Sequence, residues 1–363
     1  MIGMDKKALV AMSGGVDSSV AALMMTRAGF DCIGVTMKLR GEEISADDCT
    51  DKMCCTVFDA EDARSVCARL GFPFYVFNFV EEFSECVIDK FVRSYETGET
   101  PNPCIDCNRY LKFGRLYHKA VELGCECVVT GHYARVEYDE KNGRWLLKKS
   151  LNEAKDQSYV LYFMTQEQLA HTKFPLGEFP DKSAVRELAE QNGFVNAKKG
   201  ESQDICFVPD GDYSGFIRSY SGKSYPEGDF LDGEGNVLGK HKGIINYTVG
   251  QRRGLGISYS EPLYVRGKSV PDNTVILGTE RELYANELTA CDFNWISLER
   301  PPETPIEVGV RTRYHAKEAR AKVFANSDGT VTVRFEQPQR AISPGQAVVL
   351  YDGDIVVGGG KIV

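Results

Sequence analysis

The sequence predicts an α/β N-terminal domain built on a parallel sheet, followed by a small β-rich central domain and a C-terminal β-barrel. Three observations carry this prediction. Short apolar runs alternate with helical patterns through the N-terminal third, a glycine-rich turn joins the first strand to the first helix, and after Asp210 glycine, proline and short alternating runs take over.

Strands are expected at residues 8–12, 32–37, 74–77 and 127–130, and helices at 18–28, 59–70, 80–95 and 103–123. Gly71 and Gly124 fall where helix C-terminal caps belong, whereas Gly29 is not read as a stop. A hairpin is expected over 135–148, turning at Lys141-Asn142-Gly143, with helical segments near 157–164 and 181–192. From residue 211 the pattern reads as all β. Boundaries near 211 and 281 divide the chain into domains of 1–210, 211–280 and 281–363.

At 363 residues, 42% hydrophobic and 26% charged, the chain has room for two or three ordinary globular domains. No apolar run reaches the roughly 18 residues of a membrane span, and the start M-I-G-M-D-K-K lacks a signal-peptide core. A soluble, cytoplasmic protein with no membrane partner is expected. The net charge of −9 argues against sequence-blind nucleic-acid binding over the whole surface. Two local runs point the other way: Lys240, Lys242, Arg252 and Arg253 occur without an acid between Gly239 and Gly254, and six basic or His residues from Arg311 to Lys322 face only Glu318. Tyr247, Tyr259 and Tyr314 interleave with them, so an RNA-contacting face is expected there.

Residues 11–19 read A-M-S-G-G-V-D-S-S between an apolar strand and an apolar helix. Adjacent glycines let the backbone approach an anion, and the following helix offers unpaired amides and its positive dipole end. Asp17 would repel phosphate unless a cation lies between them, which nucleotide-bound Mg²⁺ supplies. The spacing matches neither G-x-x-x-x-G-K-[ST] nor G-x-G-x-x-G. It resembles the pyrophosphate loop of enzymes that split ATP into AMP and pyrophosphate; the bland alternative is a capped Gly-Ser turn.

Twelve cysteines without a secretory signal suggest a reducing compartment. Cys32, Cys67, Cys86, Cys125, Cys127 and Cys291 lie among apolar residues and read as small buried hydrophobes. Cys104 and Cys107 follow Asn102 as N-cap and Pro103 at the first helical position, three residues apart on one expected helix face. Cys206 follows a loop carrying Lys198 and Lys199.

Taken together, the chain resembles the tRNA-specific 2-thiouridylases of the MnmA type, nearly end to end. The resemblance rests on S-G-G-V-D-S-S, Met37-Lys38, N-P-x-x-x-C-N with Lys112-Phe113, Gly131-His132-Tyr133-Ala134, Lys155-Asp156-Gln157-Ser158, Ile205-Cys206-Phe207 and the run from Tyr247 to Leu255. It implies a PP-loop, adenine nucleotide α-hydrolase-like first domain and an enzyme that adenylates the 2-oxo oxygen of the tRNA wobble uridine, then delivers sulfur from a cysteine persulfide. Cys206 is then the persulfide carrier, and Cys107 the nucleophile that releases the sulfur or forms a passing disulfide with Cys206. Ala11, Met12, Ser13, Gly14, Gly15, Val16, Asp17, Ser18, Met37 and Gly131 would hold ATP. Asn102, Pro103, Cys104, His132, Lys155, Asp156, Gln157, Arg313, Tyr314 and Gln346 would meet tRNA, and a cysteine desulfurase or sulfur-relay protein would be the donor.

Cys104 departs from the family, which usually has Asp there. The change removes a carboxylate that could assist proton transfer, and Asp106 lies on another face. It also creates C-x-x-C, so Cys104, Cys107 and Cys206 could ligate an iron-sulfur cluster; a zinc site would draw on Cys54, Cys55 or His132 as a fourth ligand. The metal-free persulfide route is preferred. Rival readings are an amide-forming PP-loop synthetase, which explains neither the cysteine pair nor the basic C-terminal third, and a non-catalytic RNA-binding protein, which leaves the intact loop unexplained.

Overall fold

The computed structural model describes residues 6–41, 57–200 and 205–363. The chain divides into two compact units, one of Met1–Val87, Cys104–Pro209 and Asp354–Val357, the other of Ile88–Pro103, Asp210–Gly353 and Gly358–Val363. Among the described residues no helix is long and apolar enough to cross a membrane.

In the first unit the strands β1 (Lys7–Ala11), β2 (Asp31–Lys38), β3 (Phe74–Asn78) and β4 (Cys127–Val129) lie within a residue or two of the expected runs. A hairpin of β5 (Ala134–Asp139) and β6 (Arg144–Lys149) follows, and then β7 (Thr172–Lys173), a two-residue strand too short to show in the sequence pattern. The sheet runs β3-β2-β1-β4-β7 and is parallel throughout. Parallel sheets need cover on both faces, so β1 is an unbroken apolar run: Ala8, Leu9 and Val10 are all fully buried.

Helices α1 (Val16–Arg27) and α2 (Val57–Leu70) supply cover, together with Lys182–Gln191, which packs on α1. Buried residues occupy most faces of α1, which is what an enclosed central helix requires. The helices ending before Gly29, Gly71 and Gly124 close alike. Each glycine has positive φ, and the next residue donates back five residues, as Phe30 does to Met25 O at 3.1 Å. Gly29 is therefore a stop after all.

The expected helix at 80–95 is Val80–Phe83, Ser84–Ile88 and Asp89–Glu96 end to end, the middle segment wound as a π-helix. The expected helix at 103–123 starts at Pro103, but only Pro103–Asp106 is α-helical before a π-helical stretch, Cys107–Arg115, and the α-helix Leu116–Glu122. A one-face reading of Cys104 and Cys107 assumes 3.6 residues per turn, and the winding changes at Cys107.

The second unit contains β8 (Gly228–Leu231), β9 (Val237–His241), β10 (Tyr264–Ser269) and β11 (Thr274–Gly278), ordered β10-β11-β8-β9. The expected all-β character is broken by a helix, Tyr213–Ser221, whose N-cap Asp212 accepts from Gly215 N–H at 2.9 Å. Then come β12 (Tyr284–Trp295), β13 (Ile306–Arg311), β14 (Ala319–Ala325), β15 (Val331–Arg340), β16 (Ala347–Asp352) and β17 (Ile355–Ile362). Their order β12-β15-β14-β13-β16-β17 closes through pairing of β17 with β12, Ala290 opposite Ile362, into a six-stranded barrel. Closure leaves no open edge.

Candidate active site at the glycine-rich loop

The loop after β1 braces itself. Ser18 Oγ accepts from Ser13 N–H at 3.2 Å and donates to Gly15 O at 3.0 Å, while Ser19 Oγ donates to the same carbonyl at 3.1 Å. Thr36 Oγ1 donates to Met12 O at 2.7 Å. Gly14 has φ +74°, and a Cβ there would lie 2.4 Å from the carbonyl oxygen of Asp59. Only glycine meets both conditions. Of the expected nucleotide-loop residues, Ser13 is exposed and Ala11, Gly15 and Asp17 are half-buried, whereas Met12, Gly14, Val16 and Ser18 are buried beneath them. Met37 is also buried. Gly131 leaves β4 against the start of α1, where a Cβ would sit 2.8 Å from both Asp17 C and Ser18 N.

Asp17 is held from two sides. The Tyr133 hydroxyl donates to Oδ1 at 2.8 Å and Lys182 Nζ to Oδ2 at 3.1 Å, with the ammonium 5.9 Å from the Tyr133 ring centroid. Lys182 is a protein cation at Asp17 that the sequence reading, which looked only to a nucleotide-borne metal, did not name. Nothing in its local pattern, beyond the helix start after Asp181, singles it out. Asn196 is a second residue the sequence did not reveal: its Nδ2 donates to Gly14 O at 2.8 Å and to Ser19 Oγ at 2.9 Å, and its buried Oδ1 has no partner. Lys199 bridges Asp59 and Asp62 of α2 at 2.7 Å each. Residues 196–199 are thus fastened to the loop and to α2.

His132 is buried, its Nδ1 2.6 Å from Thr130 Oγ1 and its ring flanked by Phe113 and Phe174 at 5.9 and 5.8 Å. Burial pushes the imidazole well below its ordinary range, and the Lys112 charge adds to the shift. Gln157 Oε1 accepts from Tyr133 N–H at 2.9 Å, so this glutamine supports the tyrosine that holds Asp17. Asp156 is buried and accepts from Ser150 N–H, Ser158 N–H and Ser158 Oγ. Lys155 is half-buried.

Of the cysteines, Cys104 is exposed, while Cys107 and Cys206 are half-buried. Next to Cys107, Asn108 donates to Val160 O at 3.2 Å and keeps a buried, unpartnered Oδ1. Next to Cys206, Phe207 packs edge-on against Phe83 at 5.8 Å. Residues 201–204, Cys54 and Cys55 lie outside the described residues. Among the described residues no group of three or more His, Cys, Asp and Glu side chains is gathered as a metal site. Cys32, Cys67, Cys125 and Cys127 are buried, with burial pushing Cys67 up to about 12 and Cys127 to about 11; such thiols stay protonated. Cys86 and Cys291, expected to be buried with them, are only half-buried.

In the second unit Arg252 and Arg253 are exposed, and Arg252 and Tyr259 line a concavity of about 460 Å³. Tyr247 does not join them. It is buried among Phe230 and His241, its hydroxyl accepting from Lys242 N–H. Lys240 pairs with Asp229 at 2.7 Å and Arg311 with Glu318 at 2.7 Å, so part of each basic run is neutralised internally. Arg313 donates to Val249 O, Ala341 O and Ser343 Oγ at 2.8–3.1 Å, and Gln346 donates to the carbonyls of Thr100 and Pro101. Tyr314 is half-buried, its ring 4.6 Å from that of His315; Asn102 is half-buried and Pro103 buried.

A parallel sheet whose first strand opens into a glycine-rich loop, followed by two β-domains, defines the class, and the family comparisons agree. The description "tRNA methyl transferase HUP domain" matches residues 6–210, "tRNA methyl transferase PRC-barrel domain" 214–279 and "Aminomethyltransferase beta-barrel domain" 285–362. The tRNA-specific 2-thiouridylase MnmA of Clostridioides difficile (strain 630) is 49% identical over 359 residues, 99% of this chain and 98% of that one. That of Acetivibrio thermocellus is 49% identical over 357 residues, 98% and 99% of the two chains. The chain belongs to the MnmA family of tRNA-specific 2-thiouridylases. Among solved structures, an NMN synthetase from Francisella tularensis has a TM-score of 0.33 at 17% identity, covering 61% of this chain and 79% of its own. A 4-thiouridine synthetase in complex with RNA and ATP scores 0.34 at 18%, covering 56% and 45%. Neither likeness is close enough to bear on activity.

Two outcomes follow from this geometry. Gly14→Ala combines an unfavourable φ with a backbone clash, and is expected to cost about 2 kcal/mol of stability or more and to show no rise in melting temperature on addition of ATP, where the wild type is expected to show one. His132 stays neutral when folded but protonates near pH 6.5 when unfolded, so the unfolded chain binds the extra proton below that pH. Stability is full above pH 6.5 and falls by up to about 1.4 kcal/mol per unit on acidification. Urea titrations from pH 7 to 4.5 should give a shallower pH slope for His132→Gln than for the wild type.

Proposed function

We propose that this chain catalyses ATP-dependent 2-thiolation of the wobble uridine of tRNA, a particular form of the tRNA 2-thiouridylation for which its relatives are named. The observation that carries this reading is the braced loop at 13–18, with Asp17 clamped by Tyr133 and Lys182, in a chain that matches the thiouridylases over its whole length. The uridine 2-oxo oxygen attacks the α-phosphorus of ATP, the α–β anhydride bond breaks, pyrophosphate leaves and N3 loses its proton. The terminal sulfur of a Cys206 persulfide then attacks C2, and AMP departs with the oxygen. Cys107 thiolate attacks Sγ of Cys206 and the S–S bond breaks. Sulfur remains on C2, N3 regains a proton, and a Cys107–Cys206 disulfide is left for a thiol reductant to open.

In this reading Ala11–Ser18 backbone groups, Met37 and Gly131 seat ATP. Asp17 has two engaged oxygens and a half-exposed carboxylate with lone pairs to spare, which suits it to Mg²⁺ arriving with ATP; Mg²⁺ supplies charge neutralisation, and Lys182 adds a second positive charge. Asn102, Cys104, Lys155, Tyr314, Arg252, Arg253 and Tyr259 are exposed enough to meet tRNA directly. Buried His132 and Asp156, together with Gln157, support the loop side of the site. The sulfur donor is a cysteine desulfurase or a relay protein carrying a persulfide, and the chain works in the cytoplasm.

The cysteine roles are tested by variants. Cys206→Ser should accept no sulfur from a persulfide donor, while Cys107→Ser should carry sulfur at Cys206, seen by mass spectrometry, yet release no thiolated tRNA. Cys104→Ser should retain most activity by the metal-free route; its complete inactivity, with iron in the anaerobically purified wild type, would favour the cluster route instead.

Docking is tested by salt. Arg252→Ala with Arg253→Ala should weaken tRNA binding and flatten the log–log salt dependence by about two units at most, leaving ATP binding unaltered. An unchanged slope removes this loop from the tRNA face.

A further inference from the structure

A peptide bond between two glycines has little orientation of its own. Neither flanking residue carries a Cβ to restrict it, so the Gly14–Gly15 peptide can turn either its carbonyl or its N–H to a given side at small cost. The glycine pair that lets the loop approach an anion therefore does not determine which group meets the anion. An N–H attracts phosphate and a carbonyl repels it, so the orientation decides whether the loop binds.

The next peptide is fixed locally, since Gly15 O accepts from both Ser18 Oγ and Ser19 Oγ. The Gly14–Gly15 peptide is fixed from farther off. Its carbonyl accepts from Asn196 Nδ2 at 2.8 Å, across 182 positions of sequence, and the same amide donates to Ser19 Oγ at 2.9 Å. The buried amide cannot be turned over, because its oxygen would then face the Gly14 oxygen, and its Oδ1 is left buried without a partner. Asn196 is itself held: Phe194 and Ala197 on either side lie in the core, Lys199 N–H donates to Asn196 O at 3.0 Å, and Lys199 Nζ bridges Asp59 and Asp62. All of these groups belong to the first unit.

The peptide is trans, so with Gly14 O turned to Asn196 the Gly15 N–H points the opposite way. Among the described residues that N–H has no acceptor. We propose that Asn196 is a positioning residue for the pyrophosphate end of ATP: by holding Gly14 O inward it keeps Gly15 N–H outward as a donor to the β- and γ-phosphate oxygens. The proposal rests on the reading of this loop as the seat of ATP, and adds to it the residue that fixes the sign of the loop's dipole.

The test uses the full chain with Mg²⁺ present and two probes, inorganic pyrophosphate and AMP, titrated by calorimetry into the wild type, Asn196→Leu and Asn196→Ala. Loss of one charge-assisted hydrogen bond predicts a pyrophosphate affinity lowered about 10-fold or more in both variants, with AMP affinity unchanged. Wild-type pyrophosphate affinity in the variants would overturn the proposal, and so would equal losses for both probes, which mark a loosened site rather than a turned peptide. A second measurement needs no variant. In wild type labelled with ¹³C-carbonyl and ¹⁵N glycine, only consecutive glycines give a coupled NMR signal: Gly14–Gly15, Gly358–Gly359 and Gly359–Gly360. One of these signals should move when pyrophosphate is added, and in Asn196→Leu the same signal should be displaced before any ligand is present. Signals that stay still at saturating pyrophosphate would overturn the proposal even where the variants fail to fold. A wild type that binds neither ATP nor pyrophosphate would remove the ATP reading and the proposal with it, whereas ATP binding by the wild type with unaltered variants removes the role of Asn196 alone.

Discussion

The start of α1 is the constraint on which the first unit depends. Gly14 must pass within van der Waals contact of the Asp59 backbone, Gly131 must pass equally close to Asp17 and Ser18, and any side chain at either place would push the loop out of shape. Distant parts of the sequence converge there because the topology leaves them no alternative: in a parallel sheet the loops after β1 and β4 emerge at the same end. Tyr133, Lys182 and Asn196 then fix the loop with hydrogen bonds from three later segments. The arrangement is preorganised, with amides and charge in place before a ligand arrives.

In the proposed function the Asp17 carboxylate lies close to phosphate, which is unfavourable without an intervening cation. Lys182 answers part of that requirement within the protein itself. Its ammonium is largely buried against Tyr133 and Asp17, in surroundings where electrostatic interactions are stronger than in bulk water. The second unit distributes charge differently. Its basic runs are broken up by Asp229, Glu307 and Glu318 in ion pairs, leaving the loop of Arg252 and Arg253 as the more exposed cationic surface. Arg313 is turned to backbone carbonyls, a use for which its fan of N–H donors is well suited.

Where pattern reflects local physics, the sequence was legible. The strands of the parallel sheet, the loop, the hairpin turning before Gly143 and the helix start at Pro103 all follow from periodicity or from the backbone limits of Gly and Pro. Features decided by partners far along the chain were not. Lys182 and Asn196 gain their roles only when residues some 165 to 180 positions apart meet. Tyr247 looked like an exposed aromatic because it lies amid lysines and arginines, yet its strand neighbours bury it. The π-helical winding from Cys107 and the helix Tyr213–Ser221 carry no periodic signature strong enough to separate them from their flanks. Gly29 was passed over although its neighbour Phe30 completes the same cap seen at Gly71 and Gly124.

The central claim is that the braced loop activates the uridine oxygen by adenylation. It is tested most directly with tRNA bearing ¹⁸O at the 2-oxo position of the wobble uridine, followed by mass analysis of the nucleotide products of one turnover. The account predicts that the label appears in the phosphate of AMP, with one AMP for each thiolated uridine. Label released to water, with AMP unlabelled, would contradict it.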